Sequence, residues 1–211
     1  QRVMTVTLSR PEKKNAITQD MYGVMAQVIR DYQDNDDVRA LVITGKGDFF
    51  TSGNDLQDFA KGLSGDGLPP VVQFLQAIST CVKPVIGAAN GPGIGVGLTM
   101  LLHCDLVFAA ESATLSAPFV SLGLVPEAAS SLLLPEAVGQ AVANDIFMTG
   151  RALTAQEAMD FGLVSRVFDD AGFADAVAEI ALGVANSAPI AMQRTKSLVR
   201  HRGEAIATQM Q

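Results

Sequence analysis

Short apolar runs alternate along the chain with segments of helical periodicity. Runs rich in β-branched residues predict strands, and apolar residues recurring at i, i+3 and i+4 predict helices. The predicted strands are residues 2–8, 39–44, 49–52, 84–89, 106–109, 114–116 and 163–168. Helices intervene after pairs of strands, and this repetition predicts a layered α/β core rather than a strictly alternating β-α fold.

The first helical segment has the clearest pattern. Thr18 stands at its start and is a typical N-cap residue. Its predicted apolar face consists of Met21, Val24, Met25, Val28, Ile29 and Tyr32. Further helices are predicted over residues 71–82, 98–104, 171–185 and 187–202. Thr154 and Glu157 have capping-box spacing, and Gly162 is expected to end that helix. Residues 61–70, rich in glycine and proline, predict a loop.

Residues 83–105 organise the chain, because an apolar strand leads there through a glycine-rich loop into an apolar helix. The loop has glycine at four alternate positions, Gly91, Gly93, Gly95 and Gly97. Backbone without Cβ atoms can present its N–H groups to a ligand. A dinucleotide-binding turn fails on spacing, since Val96 or Leu98 would occupy its last glycine position. A glycine turn needed only for close packing is the alternative.

The amino-acid composition limits the kinds of molecule that this chain is expected to bind. Its 211 residues are 48% hydrophobic and 18% charged, which favours a large core and a buried subunit interface. The net charge of −7 argues against a nucleic-acid partner. No apolar run long enough to span a membrane lacks a glycine or a charge. The N-terminus has a strand pattern rather than that of a signal peptide, so we expect a bacterial cytoplasmic protein.

Cysteine and histidine offer little for metal or imidazole chemistry. Cys81 and Cys104 lack metal-ligand spacing and lie in apolar surroundings, so we expect free thiols and no metal site. His103 lies on the predicted apolar helix and is expected to be a core residue. His201 lies between two arginines and is expected at the surface.

Three features together suggest carbon-acid chemistry. Residues 52–55 and 93–97 are turns that can present N–H groups, and Glu127 is an isolated acid among apolar residues. Such parts can hold an enolate oxygen and move a proton beside it. Pro126 predicts a helix start, so an ordinary N-terminal helix acid is the alternative for Glu127. Burial would raise its pKa and a helix N-terminus would lower it.

Five ordered blocks resemble the signatures of the crotonase (enoyl-CoA hydratase/isomerase) family. They are LSRPEKKNAIT, FFTSGNDLQDF, KPVIGAANGPGIGVG, HCDLVFAAESATLSAPFVSLGLVPEAASSLLLP and LTAQEAMDFGLVSRV. The resemblance spans residues 3–200 and implies an α/β spiral of β-β-α units. The core would occupy residues 1–150, and residues 151–211 would form a helical trimerisation region. We therefore expect a homotrimer or a dimer of trimers, with further segments beyond both chain ends.

The resemblance also implies the ligand and its contacts. The substrate would be an acyl-CoA thioester, with no separate cofactor. Its carbonyl oxygen would lie between the backbone N–H groups of Asn54 and Val96, and Glu127 would be the catalytic residue. The implied substrate and CoA contacts are Lys13, Ala16, Ser52, Gly53, Asp55, Leu56, Gly95 and Phe119, with Lys14 a further candidate for phosphate contact.

Departures from the family pattern narrow the expected reaction. Hydratases of the family place two glutamates around a water, and those positions align with Thr99 and Phe119. Glu127 falls where Δ3,Δ2-enoyl-CoA isomerases of the peroxisomal type, and their bacterial relatives, carry a single catalytic glutamate. The resemblance thus implies isomerisation of 3-enoyl-CoA to 2-enoyl-CoA in fatty-acid β-oxidation. A hydratase using another acid, or a non-catalytic acyl-CoA-binding homologue, are the alternatives.

Overall fold

The computed structural model describes residues 2–59 and 67–200, so most of the predicted loop at 61–70, and His201, lie outside the described residues. The strands are β1 Val3–Leu8, β2 Ala40–Gly45, β3 Val85–Ala89, β4 Gly93–Ile94, β5 Leu106–Ala110, β6 Thr114–Ser116, β7 Leu153–Thr154 and β8 Arg166–Phe168. The helices are α1 Gln19–Asp34, α2 Leu56–Phe59, α3 Pro70–Thr80, α4 Val96–Thr99, α5 Ser130–Val138, α6 Gln140–Thr149, α7 Ala155–Asp160, α8 Phe173–Asn186 and α9 Pro189–Val199.

Two sheets form the core and confirm the α/β fold. The larger sheet is parallel, with strand order β1-β2-β3-β5-β8. The smaller sheet has the order β4-β6-β7, and β7 pairs antiparallel with β6. Both β7 and β8 follow residue 150 and join strands that precede it. The division at that residue stays a prediction.

The two faces of the larger sheet belong to different apolar clusters. Successive side chains of a strand point to opposite faces. In β2, Leu41 and Ile43 therefore pack in the main core with α1 and α3, whereas Val42 packs with Phe173 and Val177 of α8. The side chains of Val96 and Phe119 belong to the main core. The candidate site thus lies on the side of the sheet that packs against α1 and α3.

Helix α1 begins where the sequence predicts, and its buried face includes the predicted Met25, Ile29 and Tyr32. The Thr18 side chain accepts a hydrogen bond from the Met21 N–H at 3.3 Å. Val24, predicted to be apolar core, is 63% exposed, so that part of the prediction is wrong. The buried positions are Tyr22, Met25, Ala26, Ile29 and Tyr32. The Tyr22 ring packs against Phe74 of α3, with 5.5 Å between ring centroids, and this contact rotates the buried face toward Tyr22.

Two predicted elements around the glycine loop are shorter than expected. Residues 98–104 are predicted as one helix. In the structure they contain the end of α4, followed by the 3-10 helix Leu101–His103. The chain straightens there because Asp105 pairs with Val85: its N–H donates to the Val85 carbonyl at 2.7 Å, and its carboxylate accepts from the Val85 N–H at 2.8 Å. The strand predicted at 49–52 is reduced to a single bridge between Thr51 and Gly93.

Other local predictions agree with the structure. Thr154 and Glu157 form the capping box at the start of α7. Cys81 and Cys104 are free thiols, with Cys81 buried and Cys104 partly buried. Among the described helices, none combines the length and the hydropathy needed to cross a lipid bilayer.

Candidate active site

The two turns predicted to present N–H groups lie side by side. The Thr51 N–H donates to the Pro92 carbonyl at 3.1 Å, and the Thr51 carbonyl accepts from the Ile94 N–H at 3.0 Å. Gly53 has a φ of +96°, and a Cβ atom there would lie 2.9 Å from the Ile94 carbonyl oxygen. Glycine is therefore required at this position, both for its backbone conformation and for the close approach of the two loops.

Asn54 turns its backbone N–H away from the neighbouring chain. Its flanking residues make the bonds of a parallel bridge with Ile17: the Gly53 carbonyl accepts from the Ile17 N–H at 2.8 Å, and the Asp55 N–H donates to the Ile17 carbonyl at 2.9 Å. In a parallel pairing of this kind, the N–H of the central residue points to the opposite side. Among the described residues, the Asn54 N–H has no backbone acceptor.

Val96 presents a second backbone donor next to this loop. Gly95 precedes it with a φ of 60°, and the Gly95 carbonyl accepts from the N–H groups of Leu98 and Thr99 at 3.0 Å. Val96 is the first residue of α4, where an N–H has no partner within the helix. Within the described part of the chain, the Val96 N–H has no backbone acceptor.

Glu127 lies on a strained turn rather than at a helix start. Helix α5 begins at Ser130, so the predicted helix position of Glu127 is wrong. The two residues that follow Glu127, Ala128 and Ala129, have φ values of 53° and 56°, which are unfavourable for residues with a Cβ atom. Nε2 of the buried His103 lies 2.9 Å from the Ala128 carbonyl oxygen. This contact supports the turn that carries Glu127.

The Glu127 carboxyl group is largely enclosed. Burial raises its pKa above the ordinary value of 4.5, and the hydrogen bond from the Thr99 hydroxyl, 3.1 Å from Oε1, opposes that rise. Burial therefore outweighs the hydrogen bond. Thr99 is the one side-chain hydrogen-bond partner of this carboxyl group within the described residues.

Tyr22 is hydrogen-bonded to the Asn54 side chain, and the charge of Glu127 acts on it. Its hydroxyl donates a hydrogen bond of 2.5 Å to Oδ1 of Asn54. Burial raises the pKa of Tyr22 well above its ordinary value of 10.0, and the nearby negative charge of Glu127 raises it further. The buried Tyr22 thus bonds to Asn54, and Thr99 joins Glu127 to the helix that begins at Val96.

A family model described as "Enoyl-CoA hydratase/isomerase" matches residues 1–211. The chain belongs to the enoyl-CoA hydratase/isomerase family. It is thus an enzyme of the crotonase superfamily, as its motifs suggest.

Relatives within the family have different reactions in their names. The chain is 35% identical over 205 residues to the carnitinyl-CoA dehydratase of Salmonella agona, covering 96% of this chain and 78% of that protein. It is also 35% identical over 204 residues to enoyl-CoA delta isomerase 2 of Rattus norvegicus, covering 94% of this chain and 52% of that protein. A crystal structure of an enoyl-CoA hydratase/isomerase from Pseudoalteromonas atlantica T6c superposes with a TM-score of 0.97 at 50% identity, covering 99% of this chain and 84% of that one.

The residues predicted as further ligand contacts lie in two regions. One is beside the glycine loop, and the other is formed by the turns around Lys13 and Ser52. Phe119 is buried, and a Cβ atom on Gly95 would lie 4.0 Å from its ring, so the ring lies against the glycine loop. Lys13 is exposed, as is the Leu56 side chain at 67%. Ser52 belongs to the same turn region, and its N–H donates to the Lys14 carbonyl at 2.9 Å.

Arg10 joins the two parts of the exposed turn region that contains Ala16 and Asp55. The sequence alone did not indicate this residue. Its Nη1 donates to the Ala16 carbonyl at 2.7 Å and to the Asp55 carboxylate at 3.1 Å. Backbone and Arg10 hydrogen bonds hold the Asp55 pKa below its ordinary value. Asp55 is thus already paired with a cation. In the sequence, Arg10 lies in the block LSRPEKKNAIT, and nothing in that block indicates its contact with Asp55, which is 45 residues away.

Proposed function

We propose that this enzyme isomerises 3-enoyl-CoA to 2-enoyl-CoA, with Glu127 as the single proton carrier. One observation carries the proposal: the partly buried Glu127 carboxyl group accepts a hydrogen bond from the hydroxyl of Thr99, the residue that stands where hydratases of the family are expected to carry a glutamate. Moving a double bond by one position needs one group that both removes and returns a proton, and one carboxylate suffices for this.

The proposed reaction has two proton transfers on one face of the substrate. Glu127 removes a proton from C2 of the 3-enoyl thioester, and the electrons move onto the thioester oxygen. The N–H groups of Asn54 and Val96 donate hydrogen bonds to this oxygen in the resulting dienolate. The protonated Glu127 then returns its proton to C4, so that the double bond moves from C3–C4 to C2–C3. The raised pKa of Glu127 favours this role because it makes the carboxylate a stronger base.

Hydration is the alternative within the family. A relative named as a dehydratase removes water, and hydratases of the family are expected to use two glutamates for such chemistry. In this chain those positions are Thr99 and Phe119. The Thr99 hydroxyl is bonded to Glu127, and the Phe119 ring has no group that can hold a water. These residues therefore favour the isomerase over the hydratase.

Substrate binding and assembly extend the proposal. The exposed Lys13 and the neighbouring Lys14 would contact CoA phosphates, and the 52–56 segment would hold the pantetheine, with no further cofactor. We also propose a homotrimer or a dimer of trimers in the bacterial cytoplasm. Exposed apolar side chains near the site favour association: Leu122 at 58%, Leu124 at 53%, Val125 at 80% and Met148 at 70% exposure.

The proposal is tested by the products of the wild-type enzyme. Proton NMR of a reaction started with a 3-enoyl-CoA should show the conjugated 2-enoyl thioester as the first product. An acyl-CoA-binding homologue without activity would leave the substrate unchanged. A 3-hydroxyacyl-CoA in the same reaction would show that hydration follows isomerisation. An unchanged 3-enoyl-CoA, together with hydration of a 2-enoyl-CoA, would identify a hydratase.

A further inference from the structure

Helix α1 contains two fully buried tyrosines in contrasting surroundings. Tyr22 and Tyr32 are both 0% exposed, and each hydroxyl donates one hydrogen bond. The Tyr32 hydroxyl donates to the Pro84 carbonyl at 2.8 Å, in the structural core. The Tyr22 hydroxyl donates instead to the side chain of Asn54, whose backbone N–H is a proposed oxyanion donor. The two tyrosine hydroxyls of α1 thus have different acceptors. Tyr32 bonds to a backbone carbonyl of the core, and Tyr22 bonds to a side chain of the candidate site.

Asn54 is restrained at its backbone by the bridge with Ile17 and at its side chain by Tyr22. The residue before it is Gly53, whose φ of +96° is accessible mainly to glycine. The Gly53 carbonyl, which shares a planar peptide with the Asn54 N–H, accepts from the Ile17 N–H, and the Asp55 N–H donates to the Ile17 carbonyl. Within the described residues, the bond from Tyr22 is the one hydrogen bond that reaches the Asn54 side chain. The bridge thus holds the peptide that carries the Asn54 N–H at its Gly53 carbonyl, and the bond from Tyr22 adds a restraint through the Asn54 side chain.

We propose that Tyr22 is a positioning residue, whose hydroxyl acts through the Asn54 carboxamide to hold the Asn54 backbone N–H in line with the thioester oxygen. This inference rests on the proposed function of Asn54 as an oxyanion donor. A donor of this kind is effective only when it is held in place before charge develops on the oxygen. The high pKa of Tyr22 keeps its hydroxyl protonated, so it remains a donor at all physiological pH values.

Paired substitutions separate positioning from stability. Tyr22→Phe and Tyr32→Phe each remove one buried hydroxyl from the same helix. Both should lower the melting temperature. Tyr22→Phe should also lower kcat about tenfold, the scale of one hydrogen bond, while KM changes less than about twofold. Tyr32→Phe should leave kcat within about twofold of wild type. Equal kcat values in the two variants would overturn the proposal.

A double-substitution cycle tests whether Tyr22 acts through Asn54. Asn54→Ala removes the carboxamide but retains the backbone N–H. Adding Tyr22→Phe to Asn54→Ala removes both partners of the hydrogen bond and should give no further loss of kcat. If Tyr22→Phe lowers kcat equally in both backgrounds, Tyr22 does not act through Asn54. If Tyr22→Phe alone is unstable, Asn54→Ala alone still tests the proposal, because it removes the acceptor of the same hydrogen bond and should lower kcat about tenfold; an unchanged kcat would overturn the proposal.

A spectroscopic measurement separates failure of this inference from failure of the proposed reaction. The infrared carbonyl frequency of a bound, saturated acyl-CoA carrying ¹³C at the thioester carbonyl reports hydrogen bonding to that oxygen without any turnover. Binding to the wild type should lower the frequency. Tyr22→Phe should reduce this shift, and Tyr32→Phe should leave it unchanged. An unchanged shift in Tyr22→Phe would refute positioning by Tyr22, whether the wild type isomerises or hydrates its substrate.

Discussion

The Thr99 hydroxyl donates a hydrogen bond to Oε1 of Glu127 across 3.1 Å, joining α4 to the turn before α5. Thr99 occupies the position where hydratases of the family are expected to carry a glutamate. Here it supports a carboxylate that comes from another part of the chain. Because this bond favours the charged form of Glu127, it opposes the effect of burial on the pKa.

The acid limb of the pH profile should respond to Thr99. Thr99→Val keeps the side-chain shape but removes the donor, so the Glu127 pKa should rise further. A base is active when deprotonated, and the acid limb of kcat/KM reports its pKa in the free enzyme. We therefore expect this limb to move to higher pH in Thr99→Val.

Thr99→Ser is the matched control because it keeps the hydroxyl. Its acid limb should stay close to that of the wild type. A Thr99→Val limb that is unchanged, or that moves to lower pH, would show that another group controls the profile.

Glu127→Gln should abolish most turnover while preserving ligand affinity. The amide is close in size but cannot accept the C2 proton. A positioned general base typically contributes 10²–10⁴, so kcat should fall at least about a hundredfold. Dissociation constants for acyl-CoA, measured by calorimetry, should stay near those of the wild type. Glu111→Gln, at an exposed carboxylate, is the control and should retain full activity. An active Glu127→Gln enzyme would place the base elsewhere.

His103 should make the fold sensitive to mild acid. Burial lowers its pKa from 6.5 to about 4, with the Ala128 carbonyl opposing and the nearby Arg200 adding to the fall. The unfolded chain therefore takes up a proton at a pH where the folded protein does not. The free energy of unfolding should decrease as the pH falls from about 6.5 to about 4, by on the order of 3 kcal/mol in total.

Urea unfolding at several pH values checks this expectation. His103→Leu lacks the titrating group, so its unfolding free energy should fall less over the same interval, although the variant is less stable at neutral pH. Equal pH dependence in the two proteins would assign the acid sensitivity to other groups.

Assembly can be tested in solution. Light scattering at micromolar concentration should give a mass near three or six chains, since exposed apolar side chains favour a buried interface. A stable monomer at that concentration would contradict the proposed trimer.

The sequence predicted the sheet better than the site. Strands such as β2 and β3 are continuous apolar runs, and local composition suffices to identify them. Tyr22 contacts Asn54, which is 32 residues away, and helical periodicity alone did not place Tyr22 on the buried face of α1. Local pattern cannot supply such long-range contacts.

The turn that carries Glu127 was the main error near the site. Proline followed by glutamate is typical of a helix start, and nothing in the local pattern indicates left-handed conformations at two alanines. The structure has them at Ala128 and Ala129, with the Ala128 carbonyl in contact with His103. From the sequence, burial would raise the Glu127 pKa and a helix N-terminus would lower it. The structure was needed to decide between them, and in it burial raises this pKa.

The central claim is that a single glutamate moves a double bond and does not add water. The most direct test compares initial rates, measured by proton NMR, for a 3-enoyl-CoA and a 2-enoyl-CoA of the same chain length. We predict rapid conversion of the 3-enoyl thioester to its conjugated isomer and little 3-hydroxyacyl-CoA from the 2-enoyl thioester. Hydration of the 2-enoyl thioester faster than isomerisation of the 3-enoyl thioester would contradict the assignment.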